Sequence, residues 1–189
     1  MDPLRIVLFV GLALHKLVWE VYKLRAPQTP TRPPARSLKT WAVKSAKAIV
    51  LVGLLAQTLF LDVLPITGAP GWLPTVGLVI YLAGLMLAIT GRIQLGKNWA
   101  NIEDATVLNQ QVLVHEGVYR YIRHPIYAGD MLLLIGLELA LNSWLVILTI
   151  VPMVIFVRQA LAEETLLAQS FADYAAYRQH TKRFIPFLI

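Results

Sequence analysis

Cysteine is absent from the 189 residues, which excludes disulfides, thiolate metal sites and cysteine nucleophiles. Charge is scarce as well. Only 15% of the residues are Asp, Glu, Lys or Arg, against 57% hydrophobic, whereas a soluble domain carries about 25% charged and 45–50% apolar residues. The mean hydropathy is +0.62 and the apolar residues gather into long runs, so the solvent expected for this chain is lipid. No acidic residue occurs between positions 23 and 47, and no basic one between 62 and 72. The net charge of +6 therefore lies in loops beside apolar runs, as membrane topology requires, and does not point to nucleic acid. Internal repeats, clustered His ligands and a Ser-His-Asp elbow are all missing, so neither a metal nor a covalent serine nucleophile is expected.

What the chain does have is apolar length. A transmembrane helix needs about 20 apolar residues, and five stretches approach that: 4–22, 42–64, 73–91, 126–142 and 144–157. The first has no small-residue cleavage site behind Asp2 and Arg5, and reads as a retained span rather than a signal peptide. Pro152 is expected to remove one hydrogen bond from the fifth and kink it. Asn142-Ser143 leaves only a tight turn between the last two, which predicts a C-terminal helical hairpin.

Lys and Arg then set the orientation. Lys23, Arg25, Arg32, Arg36, Lys39, Lys44 and Lys47 lie in residues 23–47, between the first two stretches and at the start of the second. Arg92, Lys97, Arg120 and Arg123 follow the third, and Arg158, Arg178, Lys182 and Arg183 follow the fifth. All fall on one side, which the positive-inside rule makes cytoplasmic, with the N-terminus outside. The expectation is an all-α, polytopic membrane protein of one domain, residues 1–189. Three spans occupy 1–91, and 92–189 holds the polar stretches where chemistry can sit.

One polar segment stands at the threshold of the fourth stretch: GVYRYIRHPIYAGD, Gly117 to Asp130. The fourth stretch rises for about 17 residues, about 25 Å at 1.5 Å per residue, and the fifth descends a similar distance. Glu163 and Glu164 are therefore expected beside Arg123, His124 and Tyr127. Two readings stand at this point. The constellation is a binding site at the mouth of a bundle, or Arg123 and Glu164 are an interfacial ion pair that seals the hairpin.

GVYRYIRHPIYAGD, followed by AEETLL, FADYAAY and TKRFIP, resembles the membrane-embedded isoprenylcysteine carboxyl methyltransferase and phospholipid methyltransferase family. LGKNWA and VLVHEGVY extend the resemblance over about residues 92–189. It implies S-adenosylmethionine-dependent methyl transfer at the cytoplasmic membrane face, to a lipophilic acceptor entering from the bilayer. Carried over by motif, the cofactor-binding residues are Gln111, Val112, Leu113, Val114, Tyr119, His124, Pro125, Ile126, Tyr127 and Glu163. Arg123, Glu164 and Arg158 are the expected catalytic set. Arg123 suits a carboxylate, and Glu164 or His124 would take a proton from an amine acceptor.

The chain departs from the prenylcysteine members at Gln159, where the family has an arginine that holds the acceptor carboxylate. Arg158 is one residue away, rotated by about 100° on a helix. The acceptor is thereby left open between a prenylcysteine-like carboxylate and another lipid, thiol or amine. A membrane reductase using NADPH, of the steroid 5α-reductase type, is the alternative, because Gly129-Asp130 approaches the Gly-Glu that often follows its own RHP-x-Y segment. His124 has two possible uses, toward the cofactor or Glu163, besides simply capping the fourth span. Glu138 lies inside a span, where an ionisable group lines a tunnel or rests protonated against a neighbouring helix.

Overall fold

The computed structural model describes residues 2–25, 38–98 and 112–186. Among these residues there is no β-strand, only isolated bridges, and six α-helices: α1 Pro3–Arg25, α2 Leu38–Phe60, α3 Leu73–Leu95, α4 Pro125–Ala140, α5 Ile150–Ser170 and α6 Tyr174–His180. Short 3-10 turns occupy Gly96–Asn98, Gly117–Arg120 and Trp144–Thr149. Gln111, Trp99 and the arginines Arg32 and Arg36 lie outside the described residues.

Two helices among the described residues are long and apolar enough to cross a membrane, Leu73–Leu95 and the continuous run Trp144–Ser170. Only 28% and 6% of their apolar windows are buried. Large apolar side chains such as Val79, Met86, Val154 and Ile155 face outward, the distribution a lipid solvent selects.

Several boundaries differ from the sequence-based expectation, each for a local reason. α2 begins and ends about four residues before the predicted 42–64. The Arg5 guanidinium closes its C-terminus by donating to the carbonyls of Gln57 (3.0 Å), Thr58 (3.2 Å) and Leu61 (3.3 Å) and pairing with Asp62. A cation there also complements the negative end of the helix dipole. Pro152 is not in the interior of an α-helix. It falls in the first turn of α5, after the 3-10 run Trp144–Thr149, where its missing N–H has no intrahelical partner to lose. α5 then continues to Ser170, thirteen residues past the apolar run, so Glu163 and Glu164 ride on the same helix.

The core joins Leu8 and Leu12 of α1, Tyr81 and Leu85 of α3, and Leu133, Leu137 and Ala140 of α4. The Tyr81 hydroxyl donates to the Leu8 carbonyl at 2.7 Å. Along α3 and α4 the backbones themselves touch. A Cβ added to Gly84 would stand 2.4 Å from the Leu133 nitrogen and 2.7 Å from the Gly129 carbonyl oxygen. One heptad away, Gly77 and Gly136 would meet the nitrogens of Ala140 and Tyr81 at 2.1 and 2.2 Å. Seven residues are close to two helical turns, so these glycines share one face. Small residues at a membrane-helix seam are what allow such an approach.

At the far end of α4 the chain turns through Asn142, whose φ is +53°, a conformation Asn accepts more readily than other side chains. Its amide exchanges hydrogen bonds with the backbone of Thr67 (2.7 and 3.3 Å), which ties the 62–72 loop to the turn. Glu138, buried like Gln57, accepts from the Gln57 amide at 2.8 Å; its partner is a neighbouring helix. Contacts of α4 with α5 are of another kind. They are the stacked rings of Tyr127 and Phe156, 5.5 Å apart, and a cluster of charges.

Candidate active site

Polar groups converge where three segments meet. Residues 121–124 lead into α4, 181–184 follow α6, and the last turns of α5 bring Glu163 and Glu164. The first two segments are laced together: Arg123 N–H donates to the Lys182 carbonyl (2.8 Å), His124 N–H to Arg183 (3.1 Å) and Lys182 N–H to Tyr121 (3.0 Å). Pro125 then opens α4 at a position where a ring with fixed φ is favoured. Pro125 and Ile126 pack on Gly91 of α3.

Glu164 is buried and fully used. Its Oε1 accepts from Arg123 Nε (3.1 Å), His124 Nε2 (3.2 Å) and Arg183 Nε (2.9 Å), and its Oε2 from Arg183 Nη2 (3.0 Å). Arg123 is equally committed. Its remaining donors reach the carbonyls of Thr181 and Arg178 (3.3 Å) at the end of α6. A carboxylate pressed against two guanidinium groups and an imidazole is a satisfied buried charge, costly to open by removing one member.

Glu163, one residue earlier, is different. Its side chain is 19% exposed. It accepts from the Tyr127 hydroxyl and stands 3.3 Å from His124 Nδ1. His124 therefore spans both carboxylates with its two ring nitrogens. Burial pushes the imidazole toward its neutral form, but the hydrogen bonds and charges of Glu163 and Glu164 outweigh it, and the pKa is raised above its ordinary value. The ring also stacks on Tyr127 with centroids 5.7 Å apart.

Tyrosines line the adjoining wall. Tyr119, buried, donates to the Gly91 carbonyl (3.3 Å), and Tyr177 donates to the Tyr119 carbonyl (2.8 Å). Tyr174 is buried with no hydrogen-bond partner for its hydroxyl among the described residues, and burial, with the Glu164 charge, raises its phenol to about 12. Val112, Leu113 and Val114 run without helix toward Gly117, anchored on the α3 end: Val112 N–H donates to Asn98 Oδ1 (2.8 Å), and Val118 N–H to Gln94 Oε1 (2.8 Å). Gly117 has φ +60° and lies against the Gln94 side chain, so no larger residue fits that turn.

Of the residues expected from sequence, Arg123, His124, Tyr127, Glu163 and Glu164 are brought together. Tyr119 forms the wall behind them, and Pro125 and Ile126 act as packing. Arg158 is not brought in: it is exposed and sits five residues before Glu163, about 140° round the helix. Gln159, half-buried, shares the Glu163 side. Asp130, which prompted the reductase alternative, bonds His15 of α1 at 2.9 Å. Arg183 and the Thr181 carbonyl escaped the sequence reading, because TKRFIP registers as a basic tail and nothing in its spacing points to Glu164. A cavity of about 390 Å³ lies at the other end of the bundle, bordered by Arg5, Asp62, Thr67 and Asn142, away from this cluster.

The phospholipid methyltransferase family matches residues 72–174, a segment that contains α3, α4, α5 and the charged cluster up to Tyr174. The chain belongs to that family. Its match starts earlier than the sequence motifs do and stops before TKRFIP. Among curated relatives, the protein-S-isoprenylcysteine O-methyltransferase of Tribolium castaneum is 31% identical over 120 residues, 62% of this chain and 43% of the relative. That of Schizosaccharomyces pombe is 27% identical over 108 residues, 56% of this chain and 46% of the relative. The chain thus spans about half the length of these two relatives. In fold it is similar to a eukaryotic intramembrane Ras methyltransferase, isoprenylcysteine carboxyl methyltransferase, with TM-score 0.63 and 22% identity, over 100% of this chain and 69% of that one. A phospholipid methyltransferase fold is a membrane fold, in keeping with the outward-facing apolar surface of α3 and α5.

Proposed function

We propose that this chain is an S-adenosylmethionine-dependent methyltransferase that works at the polar rim where α4 meets the end of α5, on a lipophilic acceptor arriving from the bilayer. The observation that carries the reading is the contrast inside the acidic pair. Glu164 is saturated by cations, while Glu163 keeps part of its carboxylate open beside the Tyr127 hydroxyl. A partly open carboxylate flanked by aromatic rings suits a sulfonium and an ammonium, by charge and by cation–π attraction. The donor, when bound, supplies a methyl group on positively charged sulfur.

The residues have separate tasks. Glu163 and Tyr127 hold the cationic part, and the backbone of 112–114 with the Tyr119 wall takes the ring system. Gln111, which precedes this segment in the sequence, is assigned to the donor by motif alone. His124 sets the distance between the two carboxylates. Arg123, Glu164 and Arg183 fix His124 and lash the tail to the entry of α4, a scaffold role in place of the base and carboxylate-binding roles expected from sequence. Arg158 is assigned no part in transfer. Methyl transfer is an in-line displacement, so alignment and exclusion of water supply most of the acceleration.

Five membrane crossings with the N-terminus outside put the rim in the cytoplasm, where the soluble donor is available; the one-sided distribution of Lys and Arg supports this. Isothermal calorimetry on detergent-purified protein is the test. S-Adenosylmethionine or its demethylated product binds the wild type, and Glu163→Gln weakens that binding at least tenfold. A flat titration of the wild type with both ligands sinks the reading.

A further inference from the structure

One titratable pair stands outside the cluster. His15 of α1 holds Asp130 of α4 through Nε2 at 2.9 Å, and Trp19 stacks on the imidazole with centroids 4.0 Å apart at 23°. The two side chains are 22% and 20% exposed, so the pair is reachable and not sealed. Asp130 follows Tyr127 by three residues, about 4.5 Å further along α4. The pair therefore lies close to one helical turn deeper along α4 than the Glu163–Tyr127 contact. With Asp130 accepting from Nε2–H, the lone pair of His15 is on Nδ1, for which no partner exists among the described residues.

Charge around the rim narrows what can arrive there. Arg123 and Arg183 are spent on Glu164. Arg92 lies over the Tyr22 ring and bonds the Gly96 carbonyl, and Arg158 is exposed on another side of α5. The sequence from Trp99 to Gln111 contributes no Lys or Arg. An acceptor carboxylate placed at this pair would face the like charges of Glu163 and Asp130. An acceptor whose nucleophilic atom carries a proton meets a histidine made ready to take it.

We propose that His15 is the proton acceptor for the methyl-accepting molecule, with Asp130 as its positioning residue. The acceptor's S–H or N–H bond breaks toward sulfur or nitrogen, and the proton lands on His15 Nδ1. Asp130 holds the imidazolium so formed through Nε2–H. The freed electron pair bonds the methyl carbon as the donor's carbon–sulfur bond gives its own pair to sulfur. This rests on the methyltransferase reading above and adds a residue pair to it. α1 also carries Arg5, Lys16 and Glu20, the last two paired with each other at 2.6 Å, and Tyr22, Lys23 and Arg25; α3 carries Tyr81 and Arg92, α4 Tyr127 and Glu138, and α5 Arg158, Glu163 and Glu164. α2 carries none from Ala48 to Phe60.

The test has two arms on the full chain in detergent. Without methyl donor, Trp19 fluorescence is followed against pH, with Trp19→Phe subtracted, because an imidazolium quenches a stacked indole more than imidazole does. Expected are a pH-dependent Trp19 signal that vanishes in His15→Gln, and a change in Trp19 emission on adding 1-dodecanethiol or dodecylamine but not N-acetyl-S-farnesylcysteine, which offers a carboxylate and no amine. With labelled S-adenosylmethionine, methylation of the thiol or amine falls about 10²- to 10³-fold in His15→Gln. Asp130→Glu restores activity that Asp130→Asn lacks, and donor affinity stays within twofold in all four variants. A Trp19 signal indifferent to both probes, or His15→Gln with unchanged kcat/KM on them, overturns the dyad. Absence of donor binding in the wild type overturns the methyltransferase reading instead, and the fluorescence arm still judges the pair.

Discussion

α4 meets its two neighbours in opposite ways. Against α3 it brings its backbone into contact: Gly129 and Gly136 lie on Gly84, Gly77 and the backbone around them, with room for nothing larger, and apolar side chains close in on either side. Against α5 it brings rings and charge, Tyr127 on Phe156 and on Glu163, and His124 between two carboxylates. A seam of backbone on backbone has a single arrangement, because no rotamer can adjust within it. A contact made by side chains can rearrange without moving either helix. The first seam is therefore the reference frame, and the second is where ligands are received.

Substitutions separate the two seams. The largest effect is expected from Gly84→Leu combined with Gly129→Leu, which forces apart backbones that cannot yield. Loss of more than about 5 kcal/mol is expected, seen as failure to give a cooperative thermal transition in detergent. Glu164→Ala comes next. It leaves the buried Arg123 and the partly exposed Arg183 without their carboxylate, at a cost of about 3 kcal/mol by the same melting measurement. Glu163→Gln inverts the pattern, with stability changed by less than about 1 kcal/mol and donor affinity lowered at least tenfold, about 1.4 kcal/mol, by calorimetry.

Smaller again is the pH response of the α5 seam. His124 is raised above 6.5 in the folded protein, so its stabilisation is present in full below pH 6.5 and is lost as pH rises through the folded value. Thermal melts from pH 5 to 9 should show a decline of a few degrees that disappears in His124→Gln. Equal slopes in the two proteins would remove His124 from the account. Arg158→Gln, exposed and outside both seams, should stay within about 0.5 kcal/mol in stability and leave donor binding unchanged.

Much of the second seam was legible in the sequence. Apolar length and a rise of 1.5 Å per residue were enough to expect Glu163 and Glu164 beside Arg123, His124 and Tyr127, and the side chains do meet there. The division of labour within the pair was not legible, since adjacent glutamates look alike until burial distinguishes them. Arg183 was hidden for a related reason: its bidentate hold on Glu164 depends on how 181–184 lies beside 121–124, which no periodicity encodes. The first seam was not read from the sequence, because glycine is common in membrane helices and its meaning depends on the facing helix. His15 and Asp130 are 115 residues apart, and only the packing of α1 brings them together. Pro152 stands in a first turn and not in a helix interior because a 3-10 run delays the start of α5 to Ile150.

His124, with one nitrogen for each glutamate, also works as a proton counter. Any cation that draws Glu163 toward itself removes one of the two charges that keep the imidazole protonated. Loading the rim with a positive ligand and releasing a proton from His124 then become a single event, and affinity should strengthen as pH rises.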